Sequence, residues 1–301
     1  SQERMSGFLE PKLSYSSDGL DFMIPYYQVI SDKSDITIAV RNISDRGAGL
    51  EGNVRNLHGE SNNLRNIDLF YFNNDKEHRS NYLDGPKSRW AFGIRDTFGK
   101  KENIWMTVDW AKTSDSLVLR DIPGDITSIG NQRKQNLKQN ISINGVFKNI
   151  KIKISQEGYQ TLNPLLTNGY KKAPSIDIEY FNKFKKISIR ERVNITEFRA
   201  ENLHGFFGNQ LNNNKFQTYI NDPIEGRRIF YDLEISNSSN LNGYKLTTAM
   251  GIKGIDYDLE NRNSKTNSIL VPTFKFDLNT LLINKDGMSQ HILKPRFFYG
   301  Y

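Results

Sequence analysis

The four histidines are the side chains of this 301-residue sequence best suited to acid–base chemistry or to metal binding. Hydrolytic and metal sites usually need them in set patterns such as H-E-x-x-H, or near a nucleophile such as the serine of G-x-S-x-G. Neither pattern occurs, and a P-loop is also absent. With no cysteine, a disulfide framework and a thiolate site are excluded. We therefore expect no catalytic residue, no cofactor and no metal. The histidines are His58, His78, His204 and His291.

Two prolines near the start of the chain suggest a structural role instead. Pro11 and Pro25 lie in segments that otherwise have strand character and that meet at Ser17-Asp18-Gly19. Proline cannot donate a hydrogen bond to a sheet, and inside sheets it is confined to edges and bulges. Two prolines in one hairpin weaken its pairing, which would create a seam that can open. The alternative is that both are simply tolerated near a membrane interface.

Alternation of apolar and polar residues predicts strands along the whole chain. In Asn149-Ile150-Lys151-Ile152-Lys153-Ile154-Ser155, isoleucines occupy one face and lysines the other. The segment from Ile104 to Trp110 alternates in the same way. We predict about 15 or 16 strands, mostly of about 8–12 residues, which is the length that a tilted membrane strand requires. No convincing amphipathic helix is found.

The connections between these strands alternate between short and long. Transmembrane barrels carry tight turns at one rim and long loops at the other, and their strands must pair so that no backbone group is left unsatisfied in lipid. We therefore predict an all-β, antiparallel transmembrane β-barrel that occupies residues 1–301 as a single domain. Tight turns are predicted near 30–34, 59–63, 98–102, 147–149, 181–184, 237–242 and 277–279, and long connections near 73–87, 113–135, 157–173, 197–225 and 254–267.

The composition agrees with a barrel wall that has one lipid-facing side and one water-facing side. Hydrophobic residues make up 37% of the chain and aromatic residues 12%. Apolar runs of the roughly 20 residues that a membrane helix needs are absent. The formal net charge is +7, which fits either a solvated surface of mixed sign or an anionic partner, such as nucleic acid or a phosphorylated glycolipid. Because patterned sequence begins at once and without Met, we expect a fragment whose signal segment lies outside it.

An ordered set of short motifs resembles the LptD family. The opening Arg4-Met5-Ser6-Gly7-Phe8-Leu9-Glu10-Pro11 and the later Pro25-Tyr26-Tyr27 are similar to the start of the LptD barrel. Lys294 stands where the family usually has Glu, and Arg41-Asn42 is less similar than its neighbours. Further matches are Ser88-Arg89-Trp90, Asp109-Trp110 with Ser114-Asp115, Ala173-Pro174-Ser175-Ile176-Asp177, Val271-Pro272-Thr273-Phe274-Lys275-Phe276-Asp277 and Leu293-Lys294-Pro295-Arg296-Phe297-Phe298-Tyr299.

The resemblance implies a transporter and not an enzyme. It implies that about 15–16 of about 26 barrel strands are present, with the periplasmic jelly-roll domain upstream and the closing strands missing. Pro11 and Pro25 would be the two prolines of a lateral gate through which lipopolysaccharide (LPS) enters the outer leaflet of a Gram-negative cell outer membrane. Lys151 and Lys153 would face the lumen and could meet anionic sugars or lipid A phosphates.

The same resemblance implies particular partners. These are LPS, a small LptE-like lipoprotein plug, a periplasmic LptA-like bridge reached through the missing domain, and outer-membrane lipid. We expect no nucleic acid partner. Two other classes stay open at this point: a general or sugar-selective porin closed at about 16 strands, and a soluble all-β adhesin or binding module.

Overall fold

The computed structural model describes residues 4–60, 63–81, 86–99, 103–122, 129, 135–163, 168–200, 224–260, 267–286 and 289–301. These residues form eighteen strands and two short helices. The strands are β1 (Gly7–Phe8), β2 (Lys12–Ser16), β3 (Gly19–Ser31), β4 (Ser34–Ile43), β5 (Gly47–His58), β6 (Asn63–Phe72), β7 (Arg89–Phe98), β8 (Ile104–Thr113), β9 (Asn136–Phe147), β10 (Ile150–Thr161), β11 (Tyr170–Phe184), β12 (Ile187–Ala200), β13 (Gly226–Leu241), β14 (Tyr244–Leu259), β15 (Asn267–Thr280), β16 (Leu282–Asp286), β17 (Ser289–Leu293) and β18 (Arg296–Gly300). The helices are α1 (Lys76–Asn81) and α2 (Val118–Asp121).

Sixteen of the strands form one sheet that follows the order of the chain. From β3 to β15 each strand is hydrogen-bonded to the next one in sequence, β1 and β2 both pair with β3, and β18 pairs with β15. Strands β16 and β17 form a separate hairpin. The edge strands β1, β2 and β18 pair antiparallel with their neighbours. The predicted all-β antiparallel class is therefore confirmed.

The described residues include no helix that is both long and apolar enough to cross a membrane. The two helices are single short pieces, and they lie in the long connections after β6 and β8. Neither has an apolar periodicity long enough to be recognised in the sequence, because a four- or six-residue helix spans at most about two turns.

The chain divides into two compact units. Unit 1 contains Ser1–Asn144, Ser155–Ala173 and Arg199–Pro223, and unit 2 contains Gly145–Ile154, Pro174–Phe198 and Ile224–Tyr301. The prediction of a single barrel domain stays a prediction. His204 and the interior of the predicted connection 197–225 lie outside the described residues.

Several predicted turns are displaced by a few residues. The turns at Ser17-Asp18 and Lys148-Asn149 lie where the sequence indicated. The predictions near 181–184 and 277–279 were wrong, because β11 continues to Phe184 and β15 to Thr280. The turn after β11 places Lys185 in the left-handed region, at φ 52°. Lysine carries no signal for that conformation, which glycine and asparagine usually supply in tight hairpins.

Unit 1 has a sheet with one charged face and one apolar face. Arg41, on the charged face, binds Glu51 at 2.7 Å and Asp21 at 2.9 Å. Side chains on the opposite face, such as Val40 and Leu50, are exposed. The segment 114–122, directly after β8, packs on the charged side of β6 and β7 and helps to build a small apolar core there. That core contains Ile43, Phe70, Phe72, Ala91, Val118, Leu119, Ile122, Ile129 and Leu137.

Unit 2 shows the same division between faces. Asp232 binds Lys253 across β13 and β14, with Oδ2 and Nζ 3.3 Å apart. Glu234, two residues further along the same face, binds Lys275. Leu233, between them, points to the opposite face and is exposed, together with Ile252. Exposed apolar side chains alternating with paired charges are what a sheet between lipid and water requires.

Candidate functional site

The first sheet edge is interrupted at Pro11. β1 pairs Phe8 with Tyr26, whereas β2 pairs Lys12 with Met23. Three residues of the edge strand, 9–11, therefore lie opposite only two residues of β3. An extra residue of this kind makes a bulge and leaves the ladder locally broken. Pro11 ends this gap, directly before β2 begins at Lys12.

Pro25 borders the same gap from the β3 side. The amide of Leu9 donates to the carbonyl oxygen of Pro25 at 2.9 Å, so the polar backbone groups of Pro25 face the edge strand. The reciprocal hydrogen bond is missing because proline has no N–H. On its other side β3 keeps a continuous register with β4 from Asp21 to Val29, in which Pro25 lies opposite Ala39. The structure thus brings the two predicted prolines to one weak point of one seam.

Both ends of the edge hairpin are held by charged contacts. Near the tight turn between β3 and β4, Arg4 binds Asp35 at 2.9 Å, and the Ser6 hydroxyl accepts a hydrogen bond from the Val29 amide. At the opposite end, the Asp18 carboxylate in the β2–β3 turn accepts from Arg46 Nε at 2.9 Å. The hairpin is therefore anchored at its ends and weakest in its middle.

Arg46 belongs to a larger group of buried charges near the β2–β3 turn. Arg46 and Arg89 both donate to Oδ2 of Asp75, at 3.1 and 2.9 Å. Arg89 also binds Asp115 with two parallel hydrogen bonds, from Nε at 3.0 Å and Nη2 at 2.8 Å, and it reaches Asp121 at 3.1 Å. The side chains of Arg89, Asp75 and Asp115 have no solvent-exposed area. Such burial is tolerated only where every charge is paired and hydrogen-bonded.

This network shifts two pKa values in the connections. Burial alone would raise the pKa of the Asp115 carboxyl, but hydrogen bonds and charge attraction from Arg89 outweigh it and lower that pKa. Burial lowers the pKa of His78 in α1, and the positive charge of Arg89 lowers it further. His78 is therefore favoured in its neutral form.

The sequence did not single out this network, although its parts were visible. Arg89 and Asp115 lie in two of the motifs quoted above, but nothing in their spacing shows that they meet. Asp75 and Asp121 follow no periodic pattern. Loop carboxylates are normally solvated, so the signal that they are buried comes only from the fold.

Lys151 and Lys153 are two residues apart in β10, so their side chains share one face of the sheet. Both side chains are exposed. Lys151 lines a cavity of about 350 Å³ together with Arg190, Arg192 and the acidic residues Glu179 and Asp232. Lys153 is outside that cavity's lining. Arg190 and Arg192 are already engaged, with Glu234 at 3.2 Å and Asp177 at 2.8 Å.

The other two described histidines, His58 and His291, belong to different units. His58 binds Asp96 at 2.5 Å in unit 1, and His291 lies in the β16–β17 hairpin of unit 2. In the described parts of the chain, no group of three or more His, Cys, Asp or Glu side chains could hold a metal ion.

A long antiparallel meander with one apolar and one charged face, and with a proline-broken edge strand, defines the wall of a transmembrane β-barrel. The family model LptD, described as LPS transport system D, matches residues 87–301. The chain belongs to the LptD family. The fold of this family is a β-barrel, and an antiparallel sheet that follows the order of the chain is compatible with the wall of such a barrel.

Curated relatives agree with this assignment. LPS-assembly protein LptD of Pseudomonas aeruginosa is 29% identical over 180 residues, which cover 59% of this chain and 19% of the relative. The LptD proteins of Saccharophagus degradans and Cupriavidus pinatubonensis are 24% and 27% identical over 99% of this chain. The chain spans 36% and 35% of the length of these two relatives.

Proposed function

We propose that this chain is part of the barrel of an outer-membrane translocon that inserts LPS into the outer leaflet of a Gram-negative bacterium. The LPS-assembly proteins that it resembles are named for this substrate. In this proposal the sugars cross the wet lumen while the acyl chains leave through a lateral opening between the first and last strands of the barrel. The chain itself carries out no chemical reaction.

The interrupted pairing between β1, β2 and β3 is the observation that carries the proposal. A lateral exit requires a strand that can move without exposing many unsatisfied backbone groups to lipid. At the gap between Phe8 and Lys12, hydrogen bonds are already lost to Pro11 and Pro25, so separation there costs less than elsewhere in the sheet. Pro11 and Pro25 are the gate residues of this proposal.

The partners follow from the same role. The lumen substrate is LPS, and Lys151 and Lys153 are the proposed basic contacts for its anionic groups. A large barrel cannot fill its lumen with its own side chains, which is compatible with an LptE-like lipoprotein plug. A periplasmic LptA-like bridge would deliver LPS through a domain outside this chain, and outer-membrane lipid would surround the apolar face. No nucleic acid is part of the proposal.

A porin of about 16 strands is less well supported. The family model that the chain matches is described as LPS transport system D, and the matched curated relatives are named LPS-assembly proteins.

Replacing the two prolines together tests the gate. In the full-length protein, Pro11→Val with Pro25→Val restores two amide donors, so we expect tighter pairing at the edge and less LPS at the cell surface. Pro174→Val is the matched control, because Pro174 lies in β11, which has neighbours on both sides. Normal surface LPS in the double variant, measured by surface labelling, would show that the gate assignment is wrong.

A further inference from the structure

Buried charges connect the tip of the first hairpin to the connection after β8. The contacts run in order from Asp18 to Arg46, Asp75, Arg89 and Asp115, and the shortest contact of each successive pair lies between 2.8 and 3.1 Å. We call these five residues the ionic relay. All of them lie in unit 1. Asp18 is in the β2–β3 turn, and Asp115 is four sequence positions or fewer from the core residues Leu117, Val118 and Leu119.

The centre of the relay is a single oxygen atom. Oδ2 of Asp75 accepts hydrogen bonds from both Arg46 and Arg89. Asp75 is itself fixed, because its amide donates to Lys87 and its Oδ1 accepts from the His78 amide at 3.0 Å. When one arginine moves, the charge balance at this oxygen changes for the other. A displacement of Arg89 therefore changes the electrostatic attraction between Asp75 and Arg46.

The two ends of the relay are also held by backbone contacts. At the hairpin, the amide of Asp45 donates to the carbonyl oxygen of Asp18 at 3.2 Å, and the amide of Ser44 donates to that of Leu20 at 3.0 Å. At the other end, Asp115 Oδ1 accepts from the Leu117 amide at 2.9 Å. The segment 114–122 then packs its apolar side chains on Phe70, Phe72 and Ala91.

We propose that the ionic relay couples the inward-folded segment 114–122 to the first hairpin, so that Arg89 acts as a positioning residue for the gate edge. While the segment is seated, Arg46 holds the hairpin tip at Asp18, and opening is restricted to the proline-bordered gap. When the segment is displaced, Arg89 loses Asp115 and the tip is released. This inference deepens the proposed function, since its consequence for transport rests on the first hairpin being the gate.

Coupling between two places must be shown by an effect at one of them when the other is changed. Asp115→Asn removes the charge at the far end while keeping the side-chain shape. In the purified full-length protein in detergent, we expect amide hydrogen exchange of residues 19–22 to accelerate by about tenfold, the factor that corresponds to about 1.4 kcal/mol. Asp109→Asn is the control, because Asp109 is half-exposed and pairs with Arg95 and Lys138 at 3.6 and 3.7 Å, outside the relay.

A double-mutant cycle separates coupling from a general loss of stability. Asp18→Asn and Asp115→Asn should be non-additive, because each breaks the same chain of contacts. Arg89→Lys keeps the charge but not the paired geometry, so it should accelerate hydrogen exchange of residues 19–22 to an intermediate extent. This variant replaces Asp115→Asn in the experiment if Asp115→Asn folds poorly. Additive effects, or acceleration confined to residues 114–122, would overturn the relay.

The outcome is distinguishable from that of the gate experiment. Hydrogen exchange at residues 19–22 needs no LPS, so the relay can be established even where the proline variants export LPS normally. Conversely, impaired export in the proline variants together with an additive cycle would leave a gate that works without the relay.

Discussion

The guanidinium of Arg89 binds the carboxylate of Asp115 through two parallel hydrogen bonds of 2.8 and 3.0 Å, and water reaches neither side chain. Arg89 begins β7, whereas Asp115 follows β8. The pair thus fixes the start of one strand to the connection that leaves the next. Because paired planar groups of this kind are strongly directional, the contact also sets the direction in which the segment 114–122 folds.

Removing the guanidinium of Arg89 alone should destabilise the folded protein strongly. Arg89→Met leaves Asp115 buried without its cation and leaves Asp75 with Arg46 alone. We expect the free energy of unfolding to fall by about 3–5 kcal/mol. Arg89→Met combined with Asp115→Leu should cost less than the sum of the single changes, because the second change removes a stranded charge. Denaturant unfolding in detergent measures both values. Additive losses would contradict a paired role.

Stability should depend on pH through His78. The pKa of His78 is lowered in the folded state, so the unfolded chain, with a histidine pKa of about 6.5, binds its proton more readily. The contribution of neutral His78 to the free energy of unfolding is therefore complete above pH of about 6.5 and declines as the pH falls below that value. The charges facing it are Arg89, Asp75, Asp115 and Asp121.

His78→Gln is expected to flatten the stability profile directly below pH of about 6.5, since glutamine does not titrate there. A second decline should remain below pH of about 3.9, where the lowered pKa of Asp115 lets the unfolded state take up a proton first. Denaturant unfolding at a series of pH values measures both windows. An unchanged slope near pH 6 in the variant would exclude His78 as its source.

Gly49 lies directly opposite Phe72 on β5 and β6, where a close approach requires glycine. A Cβ at position 49 would overlap the Phe72 ring, which is buried in the apolar core of unit 1. Gly49→Ala should therefore destabilise the protein by about 1–3 kcal/mol. Gly52→Ala on the same strand is the control, because the nearest atom to its Cβ is the Thr37 carbonyl oxygen at 4.0 Å. Equal losses in the two variants would argue against a Phe72 clash.

Lys151 and Lys153 can be tested by position-specific cross-linking. A photoreactive side chain at either position should capture LPS in cells if this face of β10 lines the transport route. Position 152 is the matched control, because Ile152 lies between them and points to the opposite face. Lys186→Gln, in the tight turn after β11, controls for loss of charge alone. Equal capture at 151 and 152 would mean that the lysines do not mark the route.

Charge removal should have a modest effect. Exposed ion pairs contribute about 0.2–1 kcal/mol each. Lys153→Gln should therefore lower LPS capture by a photoreactive side chain at position 151 by a few fold and not abolish it, and Lys151→Gln should have the same effect on capture at position 153. A complete loss would indicate a structural role.

The amino-acid sequence by itself determined the all-β antiparallel class and the two faces of the sheet. These properties follow from a period of two along each strand and from prolines that cannot donate, and both are local. It also placed Pro11 and Pro25 in one hairpin. It misplaced the turn at Lys185, because a lysine in the left-handed region has no compositional mark.

Only the tertiary structure decided which charges meet. Asp18, Asp75 and Asp115 are far apart in sequence and lie in turns or connections, where the default expectation is a solvated side chain. Asp75 and Asp115 are buried where the segment 114–122 packs on Phe70 and Phe72, which is a long-range packing event. Local patterns therefore specified the weak edge at Pro11 and Pro25, whereas packing specified Arg89 as the centre of the charges that hold its tip.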